Sequence, residues 1–248
     1  MTVYLVGAGP GDPELISVRG ARLLAEADAV LFDRLARPLV ALASPDAVLV
    51  DVGKAPGAAP VPQEEINRLL VTHGRQHGCV VRLKGGDPLV FARGGEEAEA
   101  LAAAGIEFAI VPGISSVLAG PSAAGVPLTH RGVARSFTVL AGHLDPDEWA
   151  SDVPEALVAL GGTIVVLMGA AHMRRIAECL IQAGMAPETP VAAVRAATTD
   201  AEEVRRCTLG TIDDALLPSP ALFVVGEVAG LDLRWAAGHD AGGAPGAP

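Results

Sequence analysis

Short apolar runs alternate with longer amphipathic stretches along most of the chain. In the N-terminal half, the apolar runs that predict buried strands are residues 3–8, 29–32, 47–52, 79–84 and 107–111. Between them, apolar residues recur at helical spacing and predict helices over 17–27, from Pro62 onward, and over 95–104. Strands that alternate with helices in this way predict an α/β fold with a mostly parallel N-terminal sheet.

The alternation continues after Pro112-Gly113 but ends differently. The predicted elements are a helix from Ser115 or Ser116 to about residue 124, strands at 136–142, 163–168 and 190–195, and helices at 147–159 and 172–183. Strands at 203–208 and 220–226 then follow without an intervening helix, which favours a mixed sheet. We expect two domains, 1–113 and 114–235, joined within 113–132, and a disordered tail of mostly Ala, Gly and Pro at 236–248.

Two predicted strands run directly into glycine-rich turns that close with Asp-Pro. Residues 3–6 lead into GAGPGDP at 7–13, and residues 80–83 lead into KGGDP at 84–88. Glycine has no Cβ, so a ligand can approach the backbone of such turns closely. Because ligands of open α/β sheets bind beyond the carboxyl ends of the strands, the two turns predict a binding site there.

The first turn only partly matches a dinucleotide-binding motif. Gly7 and Gly9 fit G-x-G-x-x-G, but Asp12 occupies the third glycine position. Asp33 lies about twenty residues further on, where that motif has its acidic residue, and keeps a nicotinamide-dependent oxidoreductase as an alternative. The chain has no Gly-Lys-Ser/Thr sequence and no G-x-S-x-G sequence, so neither a P-loop nor a serine hydrolase is predicted.

Composition narrows the classes of partner and compartment. A net charge of −11 disfavours general binding to nucleic acid or to an anionic membrane. The three cysteines are far apart in the sequence and are typical of reduced thiols in a cytoplasmic protein. We expect no signal peptide and no membrane span, because the N-terminus is not cationic and no uncharged apolar run reaches ~18 residues. The six histidines lack metal-binding spacing, and no metal is expected.

Several polar residues near the predicted strand ends are candidates for chemistry, and each has a structural alternative. Asp87 can bind a ligand amine or hydroxyl, or it can cap a tight turn. Ser115 and Ser116 can present hydroxyls and a helix N-terminus to a carboxylate, or they can serve as helix caps. Asp33 can act as a general base, or it can form an ion pair with Arg34 or Arg37.

The basic residues offer a second set of candidates. Lys54 follows a predicted strand and can bind a substrate carboxylate or donate a proton, or it can be a solvated loop lysine. The candidates for a cationic pocket are Arg82, Lys84, Arg93, His130, Arg131 and Arg135. Arginine suits bidentate binding of carboxylates, whereas scattered surface charge is the alternative.

These stretches together resemble the tetrapyrrole (corrin/porphyrin) methylase family. The matching segments, from residue 3 to residue 228, are VYLVGAGPGDPELIS, ADAVLFDRL, DVGK, VPQEEIN, VVRLKGGDPLVFARGGEEAEAL, VPGISS, GVPLTHRG, VLMG, ATT and PALFVVGEV. The resemblance implies a two-domain homodimer that binds S-adenosylmethionine in the cleft between its domains and releases S-adenosylhomocysteine. Its motifs are most similar to members that methylate two pyrrole carbons of uroporphyrinogen III, giving precorrin-2 for sirohaem and cobalamin synthesis.

The resemblance also implies roles for particular residues. The positions that match cofactor contacts are Pro10, Gly85, Gly86, Asp87, Val90, Ser115, Ser116, Met168 and Ala197. Asp33 matches a proposed proton acceptor and Lys54 a proposed proton donor, and the carboxylate-rich substrate would explain cationic contacts from Arg82, Arg93, His130 and Arg131.

The chain departs from the family pattern at a few positions. Ala55 and Ala59 stand where relatives commonly carry Arg and His, Phe32 where Tyr is frequent, and Arg135 where Gln is. These departures leave open methylation of a later precorrin and a noncatalytic tetrapyrrole-binding protein as further alternatives.

Overall fold

Ten strands and six α-helices make up the part of the chain that the computed structural model describes, residues 1–53, 61–213 and 217–233. The strands are β1 (Thr2–Gly7), β2 (Ala29–Phe32), β3 (Val48–Asp51), β4 (Cys79–Lys84), β5 (Glu107–Val111), β6 (Phe137–Ala141), β7 (Thr163–Leu167), β8 (Pro190–Arg195), β9 (Glu203–Thr208) and β10 (Ala221–Val225). Each predicted strand is present within one residue of its expected bounds.

Two of the six helices in the described ranges begin at a serine whose side chain caps them. The six helices are α1 (Val18–Ala25), α2 (Gln63–Gln76), α3 (Gly94–Ala103), α4 (Ser116–Ala123), α5 (Val153–Leu160) and α6 (Met173–Gln182). The Ser17 and Ser115 side chains cap α1 and α4 by accepting backbone N–H bonds from residues in the first turn. No helix in the described ranges is long and apolar enough to cross a membrane.

Two helical segments differ from the prediction. The expected helix 147–159 is divided into a 3₁₀ turn, Pro146–Glu148, and α5, which starts at Val153. Pro154 lies in the first turn of α5, where its missing N–H costs no intrahelical bond, so the helix begins there. A 3₁₀ helix at Arg34–Leu42 was not predicted.

The first sheet is wholly parallel, with the strand order β3-β2-β4-β1-β5, as expected. Leu24 of α1 and Leu39 of the 3₁₀ helix pack on one face, while Leu70 of α2 and Leu101 of α3 pack on the other. Sheets covered on both faces bury their strands, which explains the nearly continuous apolar runs.

The strand order of this sheet reverses between the neighbouring strands β4 and β1. β1 and β4 are neighbours, but the chain leaves β1 through α1 on one face and leaves β4 through α3 on the opposite face. Two connections that diverge in this way open a crevice at the carboxyl ends of the two strands, which is where ligands bind in such sheets.

The second sheet is mixed, as predicted, with the order β6-β7-β10-β8-β9. β6 and β7 are parallel, and the other neighbours are antiparallel. β10 lies between β7 and β8 and does not pair with β9, its predecessor in the chain. α5 and α6 pack on one face, and α4 packs on the other, where Gly120 lies against Leu222 of β10.

Loops from the two sheets meet at one contact that the sequence did not indicate. The Asp12 backbone N–H donates to Thr198 Oγ1 at 3.2 Å, and Gly11 lies directly against Thr199. Asp12 follows β1 and Thr198 follows β8, so the contact joins the ends of a strand from each sheet. The predicted domain boundary near residue 113 stays a prediction, and Lys54, Ala55, Ala59 and the predicted tail 236–248 lie outside the described residues.

We predict that Gly113→Ala destabilises the protein. A Cβ at Gly113 would lie 2.3 Å from the Gly86 carbonyl oxygen and 2.7 Å from Gly7 Cα, and these are backbone atoms that cannot move aside locally. The expected loss is about 1–3 kcal/mol or more, the usual range for overpacking, measured by urea unfolding.

Gly95→Ala is the matched control. Gly95 lies in α3 with open space around its Cβ position, so alanine should raise the free energy of unfolding by about 0.5–1 kcal/mol. Equal stability of the Gly113→Ala variant and the wild-type protein would contradict the close approach of these strand ends.

Candidate active site between the two sheets

The two glycine-rich turns meet at the carboxyl ends of β1 and β4. Gly86 N–H donates to the Gly9 carbonyl at 2.8 Å, and Gly9 N–H donates to the Gly86 carbonyl at 3.2 Å. Both glycines have left-handed φ angles, +79° at Gly9 and +68° at Gly86, which residues with a Cβ rarely adopt. The turn after β5 joins them, because Gly113 lies against Gly7 and Gly86. The ends of three strands therefore form one surface of glycine backbone, made by Gly7, Gly9, Gly86 and Gly113, which we call the glycine floor.

Asp87 fixes the shape of this floor. Its Oδ1 accepts the Leu89 N–H at 2.8 Å, and its Oδ2 accepts the Gly113 N–H at 3.1 Å. The carboxylate thus joins the loop after β4 to the loop after β5. It also caps its own turn, which was the structural alternative to a ligand-binding role for Asp87. Val90, three residues on, is partly exposed beside this turn.

The N-terminus of α4 borders the floor. The Gly86 Cβ position points at Ser115 Cα and Ser116 N, 3.7 Å away. Ser115 is the N-cap of α4, and its Oγ accepts the Val117 N–H at 3.3 Å. An N-terminus with free N–H groups attracts negatively charged or hydrogen-bond-accepting ligand atoms. The structure thus brings together five of the predicted donor-site residues, Gly85, Gly86, Asp87, Ser115 and Ser116. Pro10 lies in the turn after β1.

Strained backbone marks the side of the site that the second sheet provides. Met168 (φ 58°), Ala196 (φ 46°) and Thr198 (φ 67°) follow β7 and β8 and have left-handed backbone without being glycine. Such conformations cost free energy and concentrate at functional sites. Met168 is 45 % exposed although it is apolar, whereas Ala197 is packed into the core. In the first sheet, Phe91 and Arg93 of the loop after β4 have the same kind of backbone.

Asp33 follows β2 at the same edge of the sheet. Its side chain is 34 % exposed, and its Oδ1 accepts a hydrogen bond from Arg82 Nη2 at 2.6 Å. The ion pair that the sequence suggested for Asp33 exists, but its partner is Arg82, because Arg37 bonds to Asp51 instead. A partly exposed carboxylate at a strand end can accept a proton from a ligand in the crevice.

Arg82 belongs to a buried cluster of charges beneath the site. Arg82 Nε and Lys84 Nζ both bond to Glu97 Oε1, at 3.0 and 2.8 Å. Burial, together with the nearby positive charge of Arg82, lowers the pKa of the Lys84 ammonium. The sequence analysis placed Arg82 and Lys84 in a pocket open to substrate, but they are only 2 % and 1 % exposed. The substrate role of Arg82 stays a prediction that its burial does not support.

Glu97 is the residue of this cluster that sequence reasoning did not single out. A signal was available, because Arg82 and Lys84 alternate with apolar residues on one face of a central strand. Two buried cations require a buried anion, and Glu97 lies one helical turn before the core residue Leu101. A search for an acidic residue on the covering helix would have found it.

The remaining basic candidates within the described ranges are exposed. Arg93 forms a surface ion pair with Glu96. His130, Arg131 and Arg135 line a cavity of about 560 Å³ in the loop between α4 and β6. Within the described ranges, no three His, Cys, Asp or Glu side chains are grouped to hold a metal ion.

Comparisons with known proteins agree with this architecture. The family model for Tetrapyrrole (Corrin/Porphyrin) Methylases matches residues 2–213. The uroporphyrinogen-III C-methyltransferase of Pseudomonas aeruginosa is 46 % identical over 233 residues, which are 91 % of this chain and 93 % of that protein. The S-adenosyl-L-methionine-dependent uroporphyrinogen III methyltransferase of Methanosarcina barkeri is 44 % identical over 232 residues, 91 % of each chain.

A solved structure shows the same fold with a ligand. It is uroporphyrin-III C-methyl transferase from Thermus thermophilus complexed with S-adenyl homocysteine, with a TM-score of 0.78 and 43 % identity. The match covers 92 % of this chain and 98 % of that one. With the family model covering the first sheet and four strands of the second, and with these relatives matched over nearly their whole length, the chain belongs to the tetrapyrrole (corrin/porphyrin) methylase family.

Proposed function

We propose that this protein transfers methyl groups from S-adenosylmethionine to two pyrrole carbons of uroporphyrinogen III, giving precorrin-2. The observation that carries the proposal is the 46 % identity, over nearly the whole of both chains, to a uroporphyrinogen-III C-methyltransferase. The glycine floor, the Asp87 anchor and the N-terminus of α4 are the parts of the described structure that this activity would use.

The residues around the crevice fit a methyl donor that is polar at one end and apolar at the other. The absence of a Cβ at Gly85 and Gly86 allows the donor to approach the backbone closely, and Ser115 and Ser116 bring hydroxyl and helix N–H donors to a carboxylate. The partly exposed apolar side chains of Val90 and Met168 suit the adenine ring. Pro10 and Ala197 complete the set that we assign to this ligand.

The chemistry asks for positioning and for proton transfer. The sulfonium of the donor supplies an already activated methyl group, so the protein gains rate mainly by aligning the two reactants. The pyrrole carbon that attacks the methyl group already carries a side chain, so it becomes quaternary and leaves the ring as an N-protonated imine. This ring then loses its N–H proton, and we assign Asp33 as the acceptor. We assign Lys54, which follows β3 outside the described residues, as a proton donor.

The acidic protein needs local positive charge to bind a carboxylate-rich tetrapyrrole. Arg93, His130 and Arg131 are exposed, and we assign them as contacts to the carboxylates of the substrate. Arg82 was the fourth candidate, but we do not assign it to the substrate, because its guanidinium is buried and bonds to Glu97 and Asp33.

An assay with methyl-labelled S-adenosylmethionine and uroporphyrinogen III tests the function directly. We expect a product that has gained two labelled methyl groups, passing through a singly methylated intermediate. Turnover of a later precorrin with no methylation of uroporphyrinogen III would support the alternative substrate instead. Binding of the tetrapyrrole without methyl transfer, even with fresh donor, would indicate a noncatalytic binding protein.

We predict that Asp87→Ala weakens binding of S-adenosylhomocysteine. The variant loses two hydrogen bonds to a carboxylate that tie the loop after β4 to Gly113. Each such bond contributes about 1.5–3 kcal/mol, so the dissociation constant should rise at least about tenfold in titration calorimetry.

Asp46→Ala is the control for this measurement. Asp46 is exposed just before β3, at the opposite edge of the first sheet, and its removal should leave the dissociation constant unchanged. An Asp87→Ala variant that binds S-adenosylhomocysteine as tightly as the wild-type protein would show that the anchored loop does not shape the donor site.

We predict that Asp33→Asn lowers methyl transfer far more than donor affinity. The amide keeps the size of the side chain but cannot accept the pyrrole proton, and loss of a general base costs about a hundredfold or more in rate. Single-turnover rates with uroporphyrinogen III measure the effect, and calorimetry with S-adenosylhomocysteine serves as the binding control. A wild-type rate in this variant would remove Asp33 from the base role.

We also propose that the protein is a cytoplasmic homodimer. The family resemblance supports a dimer, and the exposed apolar side chains of Ile114, Leu118, Val133 and Phe137 offer surface for it. The chain mass is 25.1 kDa, and sedimentation equilibrium should give twice that value. A monomer mass at micromolar concentration would contradict the proposal.

A further inference from the structure

Two cations, Arg82 and Lys84, lie on the face of β4 that α3 covers, where the neighbouring residues are apolar. Arg82 is 2 % exposed, Lys84 is 1 % exposed, and Glu97 of α3 is fully buried against them. Burying ionised groups is expensive, and replacing such groups by apolar residues is often neutral or stabilising. Stability alone is therefore a weak reason for this cluster, and its contact with Asp33 offers a functional one.

The Arg82 guanidinium is fixed by partners on two strands, at the end of β2 and on one helix. Its Nε donates to Glu97 Oε1 at 3.0 Å, and its Nη2 donates to Asp33 Oδ1 at 2.6 Å. Its Nη1 faces the carbonyls of Leu83 at 3.2 Å and Leu31 at 3.5 Å. A planar guanidinium with donors on every side has one orientation that satisfies all of these acceptors.

Glu97 is held as firmly as Arg82. Its Oε1 accepts hydrogen bonds from Arg82 Nε and Lys84 Nζ and is 3.4 Å from Gln63 Nε2. Its Oε2 is buried without a hydrogen-bond partner among the described residues. Lys84 and Gln63 therefore hold the Glu97 carboxylate in place, and this carboxylate in turn orients Arg82.

Asp33 is the end of this chain of contacts that faces solvent. Its Oδ1 is occupied by Arg82, whereas its Oδ2 makes no hydrogen bond to a described side chain, and about a third of the side chain is exposed. The buried Lys84 ammonium also interacts electrostatically with Asp33. One oxygen of Asp33 is thus anchored, and the other is available to a ligand.

We propose that Arg82 is a positioning residue for Asp33, and that Glu97 and Lys84 hold Arg82 in the orientation this requires. The inference rests on the proposed function, in which Asp33 accepts the N–H proton of the methylated pyrrole ring. Without Arg82, the aspartate could rotate about two side-chain bonds, whereas the guanidinium sets the direction of its free oxygen. A misplacement of about 1 Å in a reacting group can cost about a hundredfold in rate.

A double-mutant cycle between Arg82 and Asp33 tests the proposal. The variants are Arg82→Lys, Asp33→Asn and both together, and the readout is the single-turnover rate of methyl transfer to uroporphyrinogen III. Lysine keeps the buried positive charge, but it has no fork that reaches both Glu97 and Asp33. Arg68→Lys is the matched control, because Arg68 also makes a forked ion pair, with Glu65, on the exposed side of α2.

The expected result is a loss that depends on Asp33. Arg82→Lys should lower the rate at least about tenfold in the wild-type background, with KM for the tetrapyrrole and Kd for S-adenosylhomocysteine changed by less than about threefold. In the Asp33→Asn background, the same substitution should change the rate by less than about twofold, because there is no base left to position. Arg68→Lys should leave the rate unchanged in both backgrounds.

An equal loss in both backgrounds would show that Arg82 acts on the structure and not through Asp33, and it would overturn the inference. A wild-type rate in Arg82→Lys would overturn it as well. If Arg82→Lys does not fold, the same cycle is run with Lys84→Met combined with Glu97→Gln, which removes one cation and one anion together. A loss of rate that disappears in the Asp33→Asn background supports the proposal, and an equal loss or no loss rejects it.

The cycle also separates this inference from the proposed function. A wild-type protein that transfers no methyl group to uroporphyrinogen III would overturn the function, and the inference would fall with it. A wild-type protein that is active, with an Asp33→Asn variant of equal activity, would leave the function standing and reject the positioning of Asp33.

Discussion

The close approach of backbone at the ends of β1, β4 and β5 is the constraint on which the rest of the site depends. Gly7, Gly86 and Gly113 lie so near to one another that a Cβ at Gly7 or Gly113 would meet backbone atoms at 2.3–2.7 Å. The turns after these strands can therefore touch only where side chains are absent. Because they touch, Asp87 can bond to Gly113, and the N-terminus of α4 lies over the floor that they form.

The charged cluster and the glycine floor are two layers of one arrangement. β4 connects them. Its residues Arg82 and Lys84 belong to the buried charged cluster, and Gly85 and Gly86, which follow the strand, belong to the glycine floor. The charges reach the surface at one point, Asp33, whose carboxylate lies at the end of the neighbouring strand. The glycine turns and the contact that holds Asp33 are thus supported by the same strand.

The two sheets contribute different physical features to the cleft. The first provides parallel strand ends, glycine turns and a helix N-terminus, all of which favour polar and anionic ligand groups. The second provides Met168, Ala196 and Thr198, which have left-handed backbone. The Thr198 hydroxyl accepts a hydrogen bond from Asp12, and Met168 is a partly exposed apolar side chain. A ligand with a charged amino-acid part and an apolar base matches this division.

The element order, the parallel and mixed sheets and the glycine turns follow from the sequence alone, since apolar periodicity and the absence of a Cβ are local properties. The motifs also indicate the family. Only the tertiary structure decided that Asp33 pairs with Arg82 rather than with Arg34 or Arg37, and that Glu97 lies buried beneath them. Charges distant in the sequence find partners through strand order and helix packing, and those depend on the whole fold.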